Sequence, residues 1–251
     1  MKIKNITDYI DSFAPIETAM DFDNIGLLVG NENTEVTRVL CALDITDSVV
    51  AEAAENNCEL IISHHPIIFS PLKTVDKNDI VYKLISNNIA ALCMHTNLDL
   101  SPIFGVNTVL ADIVEVRNNT AFVEGECLYT GELDDEITNR DFAYRVKTAL
   151  GCKGVRYTMP DKKVKSVAIC SGSGGDYAEL AKDVGADVLL TGEIKHHEIL
   201  DANRLDIAVI DAGHFSTENP VIAQLCAKLQ KEFPETDFIP SQTCTDGIEY
   251  C

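Results

Sequence analysis

The stretch Glu59-Leu60-Ile61-Ile62-Ser63-His64-His65-Pro66 decides how the chain folds. Its apolar centre is short, as in a buried strand, and it ends abruptly in two imidazoles and a proline. Upstream, residues 38–45 form a second short apolar run suited to a buried strand. Between the two, residues 47–56 have helical patterning, with Asp47 or Ser48 as the N-terminal cap. Downstream, residues 79–87 read as helix and 89–94 as strand, running into His95-Thr96-Asn97-Leu98-Asp99. Strand, helix, strand, helix, strand predicts a parallel sheet with helices packed on it.

The order recurs in the second half. A strand at 166–170 leads through the glycine-rich turn Ser171-Gly172-Ser173-Gly174-Gly175 to a helix over 177–184. A strand at 186–190 runs into Gly192-Glu193-Ile194-Lys195-His196-His197. A helical stretch at 198–203 precedes a strand at 207–211, which ends in Ala212-Gly213-His214. Each half therefore has a His-His pair after its middle strand and a histidine after its last, a pattern that suggests duplication. Residues 117–131 alternate weakly and suit a strand or hairpin joining two lobes. The expected fold is α/β, with two similarly organised lobes over 1–125 and 126–251 and mixed, largely parallel sheets. The last ~30 residues are expected to pack back on the first lobe.

The chain has 251 residues, 46% of them hydrophobic, enough for a proper core. No apolar run approaches the ~20 residues of a membrane span. The N-terminus lacks a signal-peptide pattern, so a cytoplasmic location is expected. The nine cysteines are odd in number, irregularly spaced and free of C-x-x-C pairs, which argues for reduced core thiols and against a thiolate zinc site. A formal charge of −20 argues against nucleic acid or anionic lipid as a partner. Cations inside a pocket would still reverse the local field and admit an anionic small molecule.

All six histidines, His64, His65, His95, His196, His197 and His214, fall at these strand ends. Ligands of open α/β sheets bind beyond the carboxyl ends of strands, where loops converge. His64 and His65 would point apart on an extended backbone, and a turn at Pro66 would splay them towards different metal ions. His214 and Glu218 are four residues apart, on one face of a helical turn. Asn219-Pro220 then reads as the start of the next helix. With Asp99, the set His64, His65, Asp99, His214 and Glu218 offers three imidazoles and two carboxylates, suited to zinc, iron or manganese, with positions left open for water and substrate. His95 is a candidate to hold a metal-bound carboxylate or water. Glu193 and Lys195 either orient a substrate or belong to a solvated turn. His196 and His197 are either proton carriers and substrate contacts or helix-start residues. The glycine-rich turn could cradle an anion on its amides.

Five segments together resemble the Nif-three-like family, whose members are called GTP cyclohydrolase 1 type 2 homologues. They are Asp23-Asn24-Ile25-Gly26-Leu27-Leu28-Val29-Gly30, Ser63-His64-His65-Pro66, His95-Thr96-Asn97-Leu98-Asp99, Thr191-Gly192-Glu193-Ile194-Lys195-His196-His197, and Asp211-Ala212-Gly213-His214 through Glu218. The likeness runs in order over 15–220. Phe22 stands where the family often has Trp, and the length leaves no room for the inserted domain of longer members, so the compact form is expected. The resemblance implies a dinuclear site in the cleft between two α/β domains, ligated by His64, His65, Asp99, His214 and Glu218, with subunits in a toroidal homohexamer. It also implies a metal-dependent hydrolase acting on GTP or another nucleotide, in which hydroxide formed from metal-bound water attacks C8 of guanine and His95 or Glu193 shuttles protons. A two-metal phosphoesterase, or a non-enzymatic metal-handling or scaffold protein, would use the same residues.

Overall fold

The structure, a computed structural model, describes residues 1–251. In chain order its elements are α1 (Ile3–Asp11), β1 (Gly26–Val29), β2 (Arg38–Ala42), α2 (Asp47–Glu55), β3 (Leu60–Ser63), α3 (Ile80–Ser86), β4 (Ala90–Cys93) and α4 (Thr96–Asp99). They continue with α5 (Val106–Ile113), β5 (Asn118–Phe122), β6 (Tyr129–Thr138), α6 (Asn139–Leu150), β7 (Arg156–Tyr157) and β8 (Lys163–Cys170). The last are α7 (Ala178–Asp183), β9 (Val188–Thr191), α8 (His196–Arg204), β10 (Ala208–Asp211), α9 (His214–Glu218), α10 (Pro220–Glu232) and β11 (Asp237–Pro240). No helix is long and apolar enough to cross a membrane.

The chain divides into two compact units, Met1–Ile103 with Val221–Thr245, and Phe104–Pro220 with Asp246–Cys251. This division differs from a boundary at 125. Leu110, Ala111 and Val114 near the end of α5 share a buried cluster with Val167 and Ile169 of β8, so α5 belongs with the second unit's sheet. The segment after 220 belongs to the first unit through β11, which pairs in parallel with β2 from Asp237↔Arg38 to Pro240↔Cys41. Glu52 of α2 then holds the following turn, accepting from the Ser241 and Thr243 hydroxyls at 2.5 and 2.7 Å and from the Gln242 amide at 2.8 Å.

Each unit contains one mixed sheet, and the two share a plan. In the first the strand order is β1-β4-β3-β2-β11, in the second β5-β6-β8-β9-β10-β7. In each, three successive strands run parallel, β2-β3-β4 and β8-β9-β10. In each, the strand preceding this trio in the chain crosses to pair antiparallel with the trio's last member, β1 with β4 and β7 with β10. The second unit adds the antiparallel pair β5 and β6; the stretch 117–131, expected as a strand or hairpin joining two lobes, forms a hairpin within this unit, and β6 runs on to Thr138. The central strands β3, β4, β9 and β10 are buried along their whole length, as parallel strands covered on both faces must be.

Helix α2 is capped by Thr46, whose hydroxyl accepts from the Val49 amide at 3.3 Å. Helix α6 buries Phe142, Ala143 and Val146 at helical spacing. Phe142 is fully buried in the second unit's core. Phe142→Ala is expected to destabilise that unit by about 3–5 kcal/mol through lost burial and the cavity left behind. Urea unfolding followed by circular dichroism measures it, and a loss below about 1 kcal/mol would contradict this packing.

Candidate metal centre

Parallel pairing dictates where the polar residues emerge. Ser63 of β3 is in register with Ala42 of β2 and Cys93 of β4, so Leu43-Asp44, His64-His65 and Met94-His95 leave the first sheet side by side. Because β1 runs the other way, with Gly26 opposite Cys93, the residues just before β1 return to the same edge. Asp23 thereby meets His95.

The result is a cluster of three imidazoles. His64, His65 and His95 each place a potential ligand atom within 4.8 Å of the others, and His64 is buried. Their ring centroids lie 5.1 to 5.7 Å apart. The expected splaying of His64 and His65 is partial. Both amides still bond back to the end of β2, through Ala42 O and Leu43 O, and their rings are tilted by only 44°.

Each ring is anchored at Nδ1 by an acceptor. His64 Nδ1 lies 2.9 Å from the Met94 carbonyl, which can only accept, so that nitrogen carries the proton and Nε2 presents its lone pair when the ring is neutral. His65 Nδ1 bonds Asp44 Oδ1 at 2.8 Å and His95 Nδ1 bonds Asp23 Oδ1 at 2.9 Å. Acceptors in this position fix a metal-binding histidine's tautomer and raise its basicity. Burial would push the Asp23 carboxyl up. Hydrogen bonds from the His95 ring, the Thr96 hydroxyl and the Thr96 amide outweigh it and hold the group well below the ordinary carboxylate range. Asp99, on the one-turn helix α4, brings Oδ1 to 3.5 Å from His64 Nε2. Nearby Cys93 donates its thiol to the His64 carbonyl at 3.1 Å, and burial pushes its pKa up, so the thiol stays protonated.

The second unit repeats the logic with fewer imidazoles. Cys170, Thr191 and Asp211 end β8, β9 and β10 in register, so Ser171-Gly172, Gly192-Glu193 and Gly213-His214 emerge together. His214 opens α9 and its Nδ1 lies 3.2 Å from Glu193 Oε2, while its Nε2 lies 3.0 Å from Oε2 of buried Glu218, one turn later. Asp211, also buried, bonds the Gly213 amide at 3.1 Å through Oδ1 and takes Arg156 on Oδ2, which steadies the turn into α9.

The glycine-rich turn has a packing role here. Gly172 has φ +60°, and a Cβ on it would collide with Glu218 Oε1 and stand 3.1 Å from His214 Nε2. Three of the turn's five amides are used within the fold: Ser171 N donates to Asn107 Oδ1, Gly172 N to Thr217 Oγ1, and Gly174 N to Thr191 Oγ1. His196 and His197 are exposed on the first turn of α8 and join neither ligand group, because Gly192 to Lys195 carry the chain away from the sheet edge first. Lys195 pairs with Glu198 at 3.0 Å.

Both groups fit a divalent cation. Nitrogen and oxygen ligands ~2.0–2.2 Å from a tetrahedral ion stand roughly 3.3–3.5 Å apart, close to the His64–Asp99 separation of 3.5 Å and the His214–Glu218 separation of 3.0 Å. Buried carboxylates facing imidazole lone pairs require a positive charge between them, and a metal ion or a proton supplies it. Asp23 and Asp44 are the functional residues that pattern reading missed. Asp23 was visible within the quoted Asp-Asn-x-Gly segment, and Asp44 at the end of β2, beside the strand that bears the histidine pair.

The fold and these ligand groups define an α/β protein with two mixed sheets and candidate histidine-rich metal sites. The family model described as Duf34/NIF3 (NGG1p interacting factor 3) matches residues 1–246, and the chain belongs to that family. It is 38% identical to a Clostridium acetobutylicum protein named GTP cyclohydrolase 1 type 2 homolog, over 92% of this chain and 90% of that one. A protein of the same name from Clostridium perfringens is 32% identical over the full length of both. Among solved structures, Staphylococcus aureus hypothetical protein SA1388 superposes with a TM-score of 0.93 at 33% identity, covering 100% of this chain and 99% of that one. Near-complete coverage of the clostridial relatives fits the compact form.

Two substitutions test the geometry. Gly172→Ala drives a methyl group into Glu218 and is expected to lower metal affinity at least ~10-fold while circular dichroism shows the fold retained. Asp44→Ala frees the His65 ring and should cost roughly 10–100-fold in affinity. Titration with a chromogenic zinc competitor reads both, and wild-type affinity in either variant would contradict the assigned anchoring.

Proposed function

We propose that this chain is a hydrolase that uses two divalent cations, zinc, iron or manganese, to open the purine ring of GTP. In this proposal His64, His65 and Asp99 of the first unit and His214 and Glu218 of the second are the ligands. The observation that carries it is the arrangement of the four imidazoles of the two groups, each held at Nδ1 by an acceptor. Such holding fixes the tautomer and leaves Nε2 facing the cluster, as a metal-binding histidine requires. The donor set holds nitrogen and oxygen but no thiolate, and it leaves coordination positions for water and substrate, as hydrolytic centres do. When bound, paired cations lower the pKa of water so that hydrolysis runs near neutral pH.

The chain's own groups supply the proton handling. His95 is outside the proposed ligand set, and the Asp23 carboxylate at its Nδ1 orients the ring so that Nε2 can relay a proton. Glu193 keeps Oε1 free of hydrogen bonds while Oε2 holds His214, so it can both orient that ring and exchange a proton with a leaving group. The substrate rests on the name carried by the clostridial relatives. By the same family likeness we propose a toroidal homohexamer, and from the N-terminal sequence a cytoplasmic location.

Purified protein is expected to contain bound metal and to release formate from GTP, and His64→Ala and Glu218→Ala should lose both. Bound metal with no turnover of GTP or of a phosphoester panel would favour a metal-handling role. Release of phosphate without formate would favour a phosphoesterase. Absence of metal after reconstitution would sink the proposal. Light scattering on the eluting protein tests the hexamer.

A further inference from the structure

The second unit has a cavity of about 460 Å³ at the same strand edge as His214, within the size range of small-molecule pockets. Arg156, Glu193, Asp211, His214, Ile248 and Tyr250 line it. Its position follows from the sheet. Strand β7 runs antiparallel to β10 with Arg156 opposite Asp211, so Gly154 to Arg156 return to the edge from which Glu193 and His214 emerge. The chain's last residues complete the wall, tied down by Lys153 Nζ on Glu249 Oε2 at 2.6 Å.

The chemistry of the wall is selective. Tyr250 and Ile248 are large apolar side chains left 47% and 58% exposed, the surface a flat ring would cover. The tyrosine ring is seated where Gly154 has no side chain, and a Cβ there would lie 2.9 Å from Tyr250 Cε1. Opposite chemistry sits beside it. Asp211 and the Ile194 carbonyl hold the Arg156 guanidinium through Nε and Nη2, leaving Nη1 without a hydrogen bond and free to donate. Glu193 Oε1 is free and can only accept. A ring that stacks on Tyr250, accepts from Arg156 and donates to Glu193 satisfies all three.

We propose that this cavity binds the base of the substrate, a 2-amino-6-oxopurine, with Tyr250 as its stacking platform and Arg156 and Glu193 reading its edge. Guanine has an N1–H donor where adenine has the bare lone pair of N1, so a single carboxylate oxygen at that edge bonds guanine and repels adenine. The ligand's identity rests on the function proposed above, but its binding does not need the metal.

The test uses the full chain in EDTA, titrated calorimetrically with GMP and with AMP, whose phosphates are the same. GMP is expected to bind at least ~5-fold more tightly than AMP. Tyr250→Ala should weaken GMP by roughly tenfold or more, and Tyr250→Phe, which keeps the ring, should restore it. Glu193→Gln should reduce the preference for GMP over AMP. Equal affinity for the two nucleotides, or wild-type GMP binding by Tyr250→Ala, would overturn the assignment. Selective GMP binding without formate release would leave this site standing and remove the proposed reaction. Formate release unaffected by Tyr250→Ala would do the reverse.

Discussion

The register of two parallel three-stranded segments is the constraint on which everything else depends. A parallel ladder fixes which residues leave a sheet side by side, and β2-β3-β4 and β8-β9-β10 each release their polar ends at one edge. Fully buried strands hold the roots of these loops rigidly, so the side chains beyond them are positioned without contributions from long flexible segments. The antiparallel flanking strand in each unit then feeds one more charged group back to that edge. In the first unit it is Asp23, which holds His95, and in the second Arg156, which meets Asp211.

The same plan serves two chemistries. In the first unit the middle strand is followed at once by His64 and His65, and the cluster is rich in imidazole. In the second, Glu193 occupies the corresponding edge and a single histidine pairs with Glu218. The helical turn after the last strand is common to both: His95 and Asp99, like His214 and Glu218, stand four residues apart. The chain has a formal charge of −20, and divalent cations at these groups would invert the field locally, as the proposed anionic substrate requires.

Much of this was legible in the sequence because it is local. Short apolar runs that end in His-His or Gly-His mark both the strand and its carboxyl end, and the i,i+4 spacing of His214 and Glu218 needs only a helical turn. What escaped was non-local or carried a weak pattern. That the last ~30 residues pack back on the first lobe is expected from the sequence, but no periodicity announces that Asp237–Pro240 form a strand paired with β2. Helix α6 buries Phe142, Ala143 and Val146 among mostly polar neighbours, with Leu150 packed at the edge of the core. Asp44 acts on His65 because parallel pairing sets the ends of β2 and β3 together, which becomes visible only once strand order is known. For His196 and His197 the sequence leaves two readings open, and the structure gives the helix start: four residues of loop move them from the sheet edge to an exposed helix, although their order in the sequence matches that of His64 and His65.

Anomalous diffraction from crystals grown with zinc tests the central claim most directly. The account predicts strong anomalous peaks in contact with His64, His65, Asp99, His214 and Glu218, with Nδ1 of each liganding imidazole still on its acceptor. Zinc bound at cysteines, or at exposed His196 and His197, with none at these five residues, would contradict it.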